Sequence, residues 1–135
     1  MNDDEIDILL IKLKTLKVLY VEDNDEVREQ TLEMLKIFFV DIHTSVDGEK
    51  ALDVFKSVEG FNLILTDINM PIMDGIEMAR LIRELDSDIP IVAMSAHNEK
   101  KILQNIKKYN IAKYIFKPID LDEFLEVLQK IFIKT

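Results

Sequence analysis

Short apolar runs alternate along the chain with longer stretches in which apolar residues recur every three or four positions. The runs predict five β-strands, at residues 17–21, 41–46, 61–66, 90–95 and 113–117. The first, third and fourth runs are almost continuously apolar, which is typical of parallel strands that are buried on both faces. The second run alternates polar with apolar residues, which is typical of an edge strand.

The intervening stretches have the periodicity of amphipathic helices. Their apolar stripes fall within residues 27–38, 51–55, 76–82, 102–106 and 121–128. Two of the predicted helices begin with capping boxes, formed by Asp74 with Glu77 and by Asp120 with Glu123. Five strands that alternate with five helices predict an α/β fold, with a doubly wound parallel sheet and helices on both of its faces.

Residues 1–14 precede this alternating pattern, and we interpret them as an N-terminal amphipathic extension of a domain at 15–135. One helical face of the extension is apolar and consists of Ile6, Leu9, Leu10 and Leu13. A helix as short as this is only marginally stable alone in water. We therefore expect the extension to dock on its own domain, with a homodimer contact and disorder as the alternatives.

Composition narrows the possible partners and the compartment. The 135 residues suffice for one domain, and the net charge of −9 disfavours direct binding to nucleic acid or to an anionic membrane. No apolar run reaches the length of a membrane span, and the acidic N-terminus lacks the basic region of a secretory signal. The absence of cysteine is consistent with a reducing compartment, so we expect a cytoplasmic protein.

Charged and polar residues stand at the carboxyl ends of the predicted strands, where ligands bind in open parallel sheets. Glu22 and Asp23 follow the first strand, Asp67 follows the third, and Ser95 and Lys117 end the fourth and fifth. Crowded carboxylates repel one another, so we expect a divalent cation between them, and Mg²⁺ prefers such oxygen ligands. Lys117 adds another positive charge, which leaves the site near neutral and able to receive a phosphoryl group.

Each of these residues has a simpler explanation when it is considered alone. The two acids after the first strand could cap the next helix, Asp67 could be an ordinary turn residue, and Lys117 could be a surface lysine. Ser95 alone is uninformative. The convergence of four separate segments on one edge of the sheet favours a functional site.

Four motifs carry a resemblance to a known family: "VLYVEDN", "LILTDINMPIMDG", "IPIVAMSA" and "YIFKP". In their order and approximate spacing they resemble the receiver domain of two-component response regulators, over about residues 15–134. The resemblance implies a flavodoxin-like strand order, 2-1-3-4-5. It also implies a signalling switch rather than a metabolic enzyme.

The resemblance further implies the roles of the acidic residues. Asp67 would accept a phosphoryl group from a sensor histidine kinase or a histidine phosphotransfer protein. Asp23 would bind Mg²⁺ directly, Glu22 would act mainly through water, and Asn69 would offer its backbone carbonyl to the metal. Asn69 and His97 would flank the site and could steer the water that hydrolyses the aspartyl phosphate.

Signal output is implied in the same way. Ser95 would donate its hydroxyl to the phosphoryl group, Lys117 would pair with that group, and Tyr114 matches the family's switch aromatic. The surface formed by the fourth helix, from about Asn98 to Tyr109, with the fifth strand and fifth helix, would meet an effector domain or protein.

The sequence departs from the family pattern before the switch aromatic, where Asn110 and Ile111 stand in place of Gly-Ala. Asparagine tolerates a left-handed conformation, so we expect the turn to survive.

Three other functions compete with this prediction. A phosphatase with an aspartyl nucleophile would need a second carboxylate where Asn69 stands, and a flavodoxin-type cofactor site would need a phosphate cradle where "VEDNDE" stands. A degenerate receiver that serves only as an interaction module remains an alternative.

Overall fold

The computed structural model describes residues 1–96 and 100–133, with the backbone alone at 100–103. The strands are β1 Lys17–Val21, β2 Asp41–Ser45, β3 Leu63–Asp67, β4 Ile91–Ser95 and β5 Lys113–Phe116. The helices are α1 Asp3–Leu13, α2 Asp25–Phe38, α3 Gly48–Ser57, α4 Gly75–Leu85, α5 Lys100–Lys108 and α6 Leu121–Phe132. The fourth helix of the sequence prediction begins at about Asn98. This start, and His97 before it, lie outside the described residues.

The five strands form one parallel sheet in the order β2-β1-β3-β4-β5. This order confirms the predicted flavodoxin-like arrangement. β3 lies at the centre of the sheet, and all five of its residues are buried. β2 lies at one edge and has a mixed burial pattern, as its alternating sequence predicted.

The first strand has its predicted bounds, and the other four differ from the predictions by one or two residues at one or both ends. The third strand begins at Leu63 rather than residue 61, because Asn62 has another role. Its side-chain oxygen accepts a hydrogen bond from the Lys17 backbone N–H at 2.8 Å, and its own N–H donates to the Lys17 carbonyl at 2.8 Å. The fifth strand ends at Phe116, so Lys117 begins the following loop.

Two hydrophobic cores cover the opposite faces of the sheet, because successive residues of a strand point to opposite sides. Tyr20 belongs to the core under α1, α2 and α6, whereas its neighbours Leu19 and Val21 belong to the core under α3 and α4. The sheet is therefore packed between helices on both of its faces.

Helix α1 packs against the same chain. Leu9 and Leu13 have no exposed surface and belong to one core with Phe124 and Leu128 of α6. The Gln129 side chain of α6 also donates a hydrogen bond to Glu5 Oε2 at 2.9 Å. Of the alternatives considered for the extension, the structure shows docking on its own domain.

The turn before β5 has the conformation that the sequence predicted. Asn110 has a φ of 52°, in the left-handed region that asparagine tolerates. Arg83 stabilises the turn by donating to the carbonyls of Tyr109 at 2.8 Å and Asn110 at 2.9 Å.

Among the helices of the described residues, none combines the length and the apolar character that a membrane crossing requires.

Candidate metal centre

Three carboxylates meet where β1 and β3 end. Glu22 and Asp23 follow β1 directly, and Asp67 is the last residue of the neighbouring β3. One carboxylate oxygen from each lies within 4.8 Å of the others. The structure therefore brings together the three acidic residues that the sequence predicted to share a site.

Glu22 is almost completely buried and both of its carboxylate oxygens are engaged. The Lys117 ammonium donates to Oε1, and the Asn24 backbone N–H donates to Oε2 at 3.2 Å. Burial alone would raise the pKa of Glu22, but the hydrogen bonds from Lys117 and Asn24 bring the pKa below its ordinary value. Glu22 is therefore held as a carboxylate that neutralises Lys117.

Asp67 is buried at the end of the central strand, with 8% of its surface exposed. Its Oδ1 accepts a hydrogen bond from the Ile68 backbone N–H at 2.8 Å, and its Oδ2 lies 3.5 Å from the Lys117 ammonium. Burial first, and then the charge of Glu22, raise the pKa of Asp67 to about 6. The carboxylate is thus mostly ionised at pH 7, although burial and the charge of Glu22 destabilise its ionised form, and a nearby cation would stabilise it.

The backbone beneath Asp67 approaches the next helix closely at Gly75. A Cβ atom at Gly75 would lie 2.3 Å from the Asp67 carbonyl oxygen, which no side chain could accommodate without a backbone shift. Gly75 N–H also donates to the Ile68 carbonyl at 2.8 Å. The glycine of "MDG" therefore lets α4 begin directly against the end of β3.

Asp23 lies at the rim and is partly exposed. Burial, and then the neighbouring Glu22 side chain, raise the pKa of Asp23. Two oxygens that bind one Mg²⁺ lie at most about 4.2 Å apart, since each Mg–O distance is about 2.1 Å. The observed spacing fits Mg²⁺ after a small movement or with one carboxylate bound through water, and Glu22, whose oxygens are already engaged, is suited to the latter.

Ser95 and Tyr114 lie on the strands beside Asp67. Ser95 is the last residue of β4 and has no exposed surface, and its carbonyl accepts a hydrogen bond from the Lys117 N–H at 2.9 Å. Tyr114 on β5 is buried, with its ring edge-to-face against Phe116 at a centroid distance of 4.8 Å. Asn69 is exposed in the loop after β3.

Sequence reasoning missed two contacts that shape the site. The ion pair between Lys117 and Glu22 joins residues 95 positions apart, and no local pattern indicates it. Arg28, taken in the sequence only as part of a helical stretch, donates to the Glu22 carbonyl at 2.9 Å. Its position six residues after Glu22, early in the next helix, is the one signal that could have indicated this contact.

Comparison with known proteins identifies the family to which the chain is similar. Residues 18–129 match the response regulator receiver domain. Sporulation initiation phosphotransferase F of Bacillus subtilis (strain 168) is 29% identical over 114 residues, covering 84% of this chain and 91% of that protein. Regulatory protein AtoC of Escherichia coli (strain K12) is 29% identical over 114 residues, covering 84% of this chain. The chain spans 24% of the length of AtoC and 24% of the Arabidopsis thaliana response regulator ARR10.

Solved structures agree with the sequence relatives. Chemotaxis protein CheY4 of Vibrio cholerae has a TM-score of 0.78 at 26% identity, covering 87% of this chain and 98% of that chain. A chain of the CheX–CheY–BeF3–Mg²⁺ complex from Borrelia burgdorferi also has a TM-score of 0.78 at 26% identity, covering 86% of this chain and 88% of that chain. The fold and the order of the strands are therefore those of CheY-like receiver domains.

Proposed function

This chain belongs to the response regulator receiver domain family, and on that premise we propose that it accepts a phosphoryl group on Asp67 and transmits this event as a conformational change. Phosphoryl-accepting signalling is the general role of the family, whose members are switch domains rather than classical enzymes. The proposed donor is a sensor histidine kinase or a histidine phosphotransfer protein.

The position of Asp67 between the other two carboxylates and Lys117 is the observation that supports this choice of acceptor. Both carboxylate oxygens of Glu22 already accept hydrogen bonds, so Glu22 is poorly placed to act as a nucleophile. Asp23 lies at the partly exposed rim. Asp67 also lies near Lys117, with its Oδ2 at 3.5 Å from the ammonium, and belongs to the acidic cluster that could hold a cation.

Mg²⁺ is the proposed cofactor, in keeping with the general property of receiver domains. Asp23 and Asp67 would hold it directly with the backbone carbonyl of Asn69, and Glu22 would act through water. When bound, the ion neutralises negative charge on the carboxylates and on the phosphoryl oxygens. This assignment suits the hard oxygen donors at the site, which are the donors that Mg²⁺ prefers.

The residues of the chain supply positioning and charge for the transfer. A carboxylate oxygen of Asp67 forms a bond to phosphorus as the bond from phosphorus to the donor atom breaks, and phosphoryl transfer depends mainly on alignment and charge neutralisation. The Ile68 N–H fixes the Asp67 carboxylate through Oδ1. Lys117 and the Ser95 hydroxyl would donate hydrogen bonds to the transferred group.

Signal output is proposed to follow from Ser95 and Tyr114. Movement of the Ser95 hydroxyl toward the phosphoryl group would change the packing of Tyr114 and hence the surface of α5, β5 and α6. A shift from 1:99 to 99:1 between two states requires about 5.5 kcal/mol. A few charge-assisted hydrogen bonds, at about 1.5–3 kcal/mol each, are of that order.

The remaining partners are proposals of the same kind. The surface of α5, β5 and α6 would meet an effector domain or effector protein, in a cytoplasmic setting and without direct contact to nucleic acid or membrane. The net charge of −9 supports the exclusion of direct nucleic-acid binding. A homodimer contact is a further proposal of this kind.

Phosphoryl uptake from acetyl phosphate tests the proposal. Intact-mass measurement is expected to show one added phosphoryl group when Mg²⁺ is present and none in chelator. Asp67→Asn should abolish uptake, whereas Asp53→Asn, at an exposed carboxylate of α3, should not change it. Equal uptake by Asp67→Asn would refute the assignment, and no uptake by the wild type would favour a degenerate receiver.

A further inference from the structure

Arg28 reaches back from the beginning of α2 to the loop that carries the acidic residues. One guanidinium nitrogen donates to the backbone carbonyl of Glu22 at 2.9 Å, and another donates to Asp25 Oδ1 at 2.6 Å. The Arg28 side chain is only 18% exposed, and its contact to the Glu22 carbonyl is partly buried, whereas the contact to Asp25 lies at the surface. Arg28 therefore holds this loop on both sides of Asp23.

Hydrogen bonds hold the backbone on both sides of Glu22, in the peptide group before it and in the one that joins it to Asp23. The Glu22 N–H donates to the Ser45 carbonyl at the end of β2 at 3.1 Å, while the Glu22 carbonyl accepts from Arg28. Asp23 is attached directly to this carbonyl and lies partly exposed at the rim. The orientation of its backbone thus depends on a hydrogen bond that Arg28 supplies.

We propose that Arg28 is a positioning residue for the metal centre, which holds the Asp23 carboxylate beside Asp67 through the Glu22 carbonyl. The inference rests on the proposed role of Asp23 as a metal ligand. Arg28 does not contact the metal in this account. It acts as an outer-shell partner, and loss of such a partner typically weakens metal affinity by about 10–100-fold.

Electrostatics alone predict the opposite change in Mg²⁺ affinity, so a measurement distinguishes positioning by Arg28 from a simple effect of its charge. A positive charge beside a cation site repels the cation, so removal of the Arg28 charge should strengthen Mg²⁺ binding. Loss of the hydrogen bond to the Glu22 carbonyl should weaken Mg²⁺ binding, because Asp23 is no longer held in place. The direction of the change therefore reports which effect dominates.

The test is a Mg²⁺ titration of folded Arg28→Met, well below its unfolding temperature. We expect the dissociation constant to rise about tenfold. Arg80→Met is a matched control, because Arg80 makes the same i, i+3 contact to a carboxylate, at 2.6 Å from Glu77, on a helix far along the chain. The control should leave Mg²⁺ affinity unchanged. Unchanged or tighter binding by Arg28→Met would overturn the proposal, as would an equal loss in Arg80→Met.

Two further measurements separate a positioning role from a general effect on stability. They are the Mg²⁺ affinity of Arg28→Lys and the thermal unfolding of the variants in chelator. One ammonium cannot hold the Glu22 carbonyl and Asp25 together as a guanidinium fork does, so the Arg28→Lys affinity should fall between wild type and Arg28→Met. If Arg28→Lys bound Mg²⁺ as tightly as the wild type, the two simultaneous contacts of Arg28, to the Glu22 carbonyl and to Asp25, would not be needed for metal binding. A purely structural role would lower the melting temperature in chelator without changing the affinity of the folded protein, and that result would also count against positioning. Because Mg²⁺ binding is measured without phosphorylation, a wrong choice of phosphoryl acceptor would not affect this test.

Discussion

At the scale of single residues, the negative charges of Glu22, Asp23 and Asp67 lie close enough to repel one another. Lys117 provides one counter-charge to the three carboxylates, and it hydrogen-bonds mainly to Glu22. Burial first, and then the Glu22 side chain, raise the pKa values of Asp23 and Asp67. We therefore expect the metal-free fold to be less stable than it would be with fewer acids, and a bound cation to offset that cost.

The first prediction is that Asp67→Asn stabilises the metal-free protein at pH 7. The pKa of Asp67 rises from 3.8 to about 6 in the fold, so the folded state holds its proton more tightly than the unfolded chain. This contribution to stability is complete below about pH 4 and is lost as the pH rises through about 6. We expect a gain of about 1–3 kcal/mol at pH 7 for the variant, measured by urea unfolding in chelator.

The pH dependence provides the control for that prediction. The difference between Asp67→Asn and wild type should shrink as the pH is lowered from 7 to 5, because the wild-type carboxyl becomes protonated. Asp53→Asn, at an exposed position, should show no such dependence. A difference that is the same at pH 5 and pH 7 would show that burial and Glu22 do not raise the pKa of Asp67.

The second prediction orders the two acids that follow β1. Asp23→Asn should weaken Mg²⁺ binding much more than Glu22→Gln, because Asp23 is proposed as a direct ligand and both oxygens of Glu22 are engaged elsewhere. Isothermal calorimetry with Mg²⁺ would give both affinities. In chelator, Asp23→Asn should not lower the melting temperature. The reverse order of affinities would contradict the division of roles.

At the scale of elements, local patterns in the sequence predicted most of the fold. Strand positions followed from short apolar runs, and the predicted left-handed turn at Asn110 was confirmed by its φ of 52°. The predicted start of the third strand at residue 61 was wrong by two residues, because the Asn62 side chain accepts a hydrogen bond from the backbone of Lys17, far away in the sequence. Contacts of this kind have no periodic signal, and neither does the Lys117 ion pair with Glu22.

The third prediction concerns helix α1, whose apolar face is buried against α6. Leu9→Ala should lower the free energy of unfolding by about 2–5 kcal/mol, since Leu9 is completely buried in a shared core. Ile11→Ala is the matched control, because Ile11 is 70% exposed on the same helix and should change stability by less than about 0.5 kcal/mol.

Hydrogen exchange would test the docking of α1 independently. Protection of the amides of α1 in the wild type, and its loss in Leu9→Ala, would agree with docking on α6. Exchange as fast as in a free peptide, or protection that depends on protein concentration, would contradict intrachain docking.

At the scale of the whole molecule, the ends of adjacent strands are linked. The Lys117 N–H donates to the Ser95 carbonyl at 2.9 Å, and this hydrogen bond joins the end of β4 to the residue that follows β5. Tyr114 lies on β5 and is buried beneath the α5 side of the sheet. This connection gives a physical route from Asp67 to the proposed output surface.

The fourth prediction is that beryllofluoride with Mg²⁺ shifts backbone amide resonances across residues 95–117, well beyond the acidic residues. Ser95→Ala should reduce these distant shifts, because the hydroxyl that couples the phosphoryl mimic to β5 is lost. Mg²⁺ affinity should remain nearly unchanged in the variant. Distant shifts of full size in Ser95→Ala would refute this switch mechanism without affecting the assignment of the phosphoryl acceptor.

The identity of the phosphoryl acceptor is the central claim, and chemical mapping tests it most directly. Borohydride reduces an aspartyl phosphate, but not a free carboxylate, to homoserine. After treatment with acetyl phosphate and Mg²⁺, borohydride reduction and peptide sequencing by mass spectrometry should find homoserine at position 67. It should be absent when Mg²⁺ is chelated. Homoserine at position 23, or a reduced side chain at Glu22 in place of Asp67, would contradict the account.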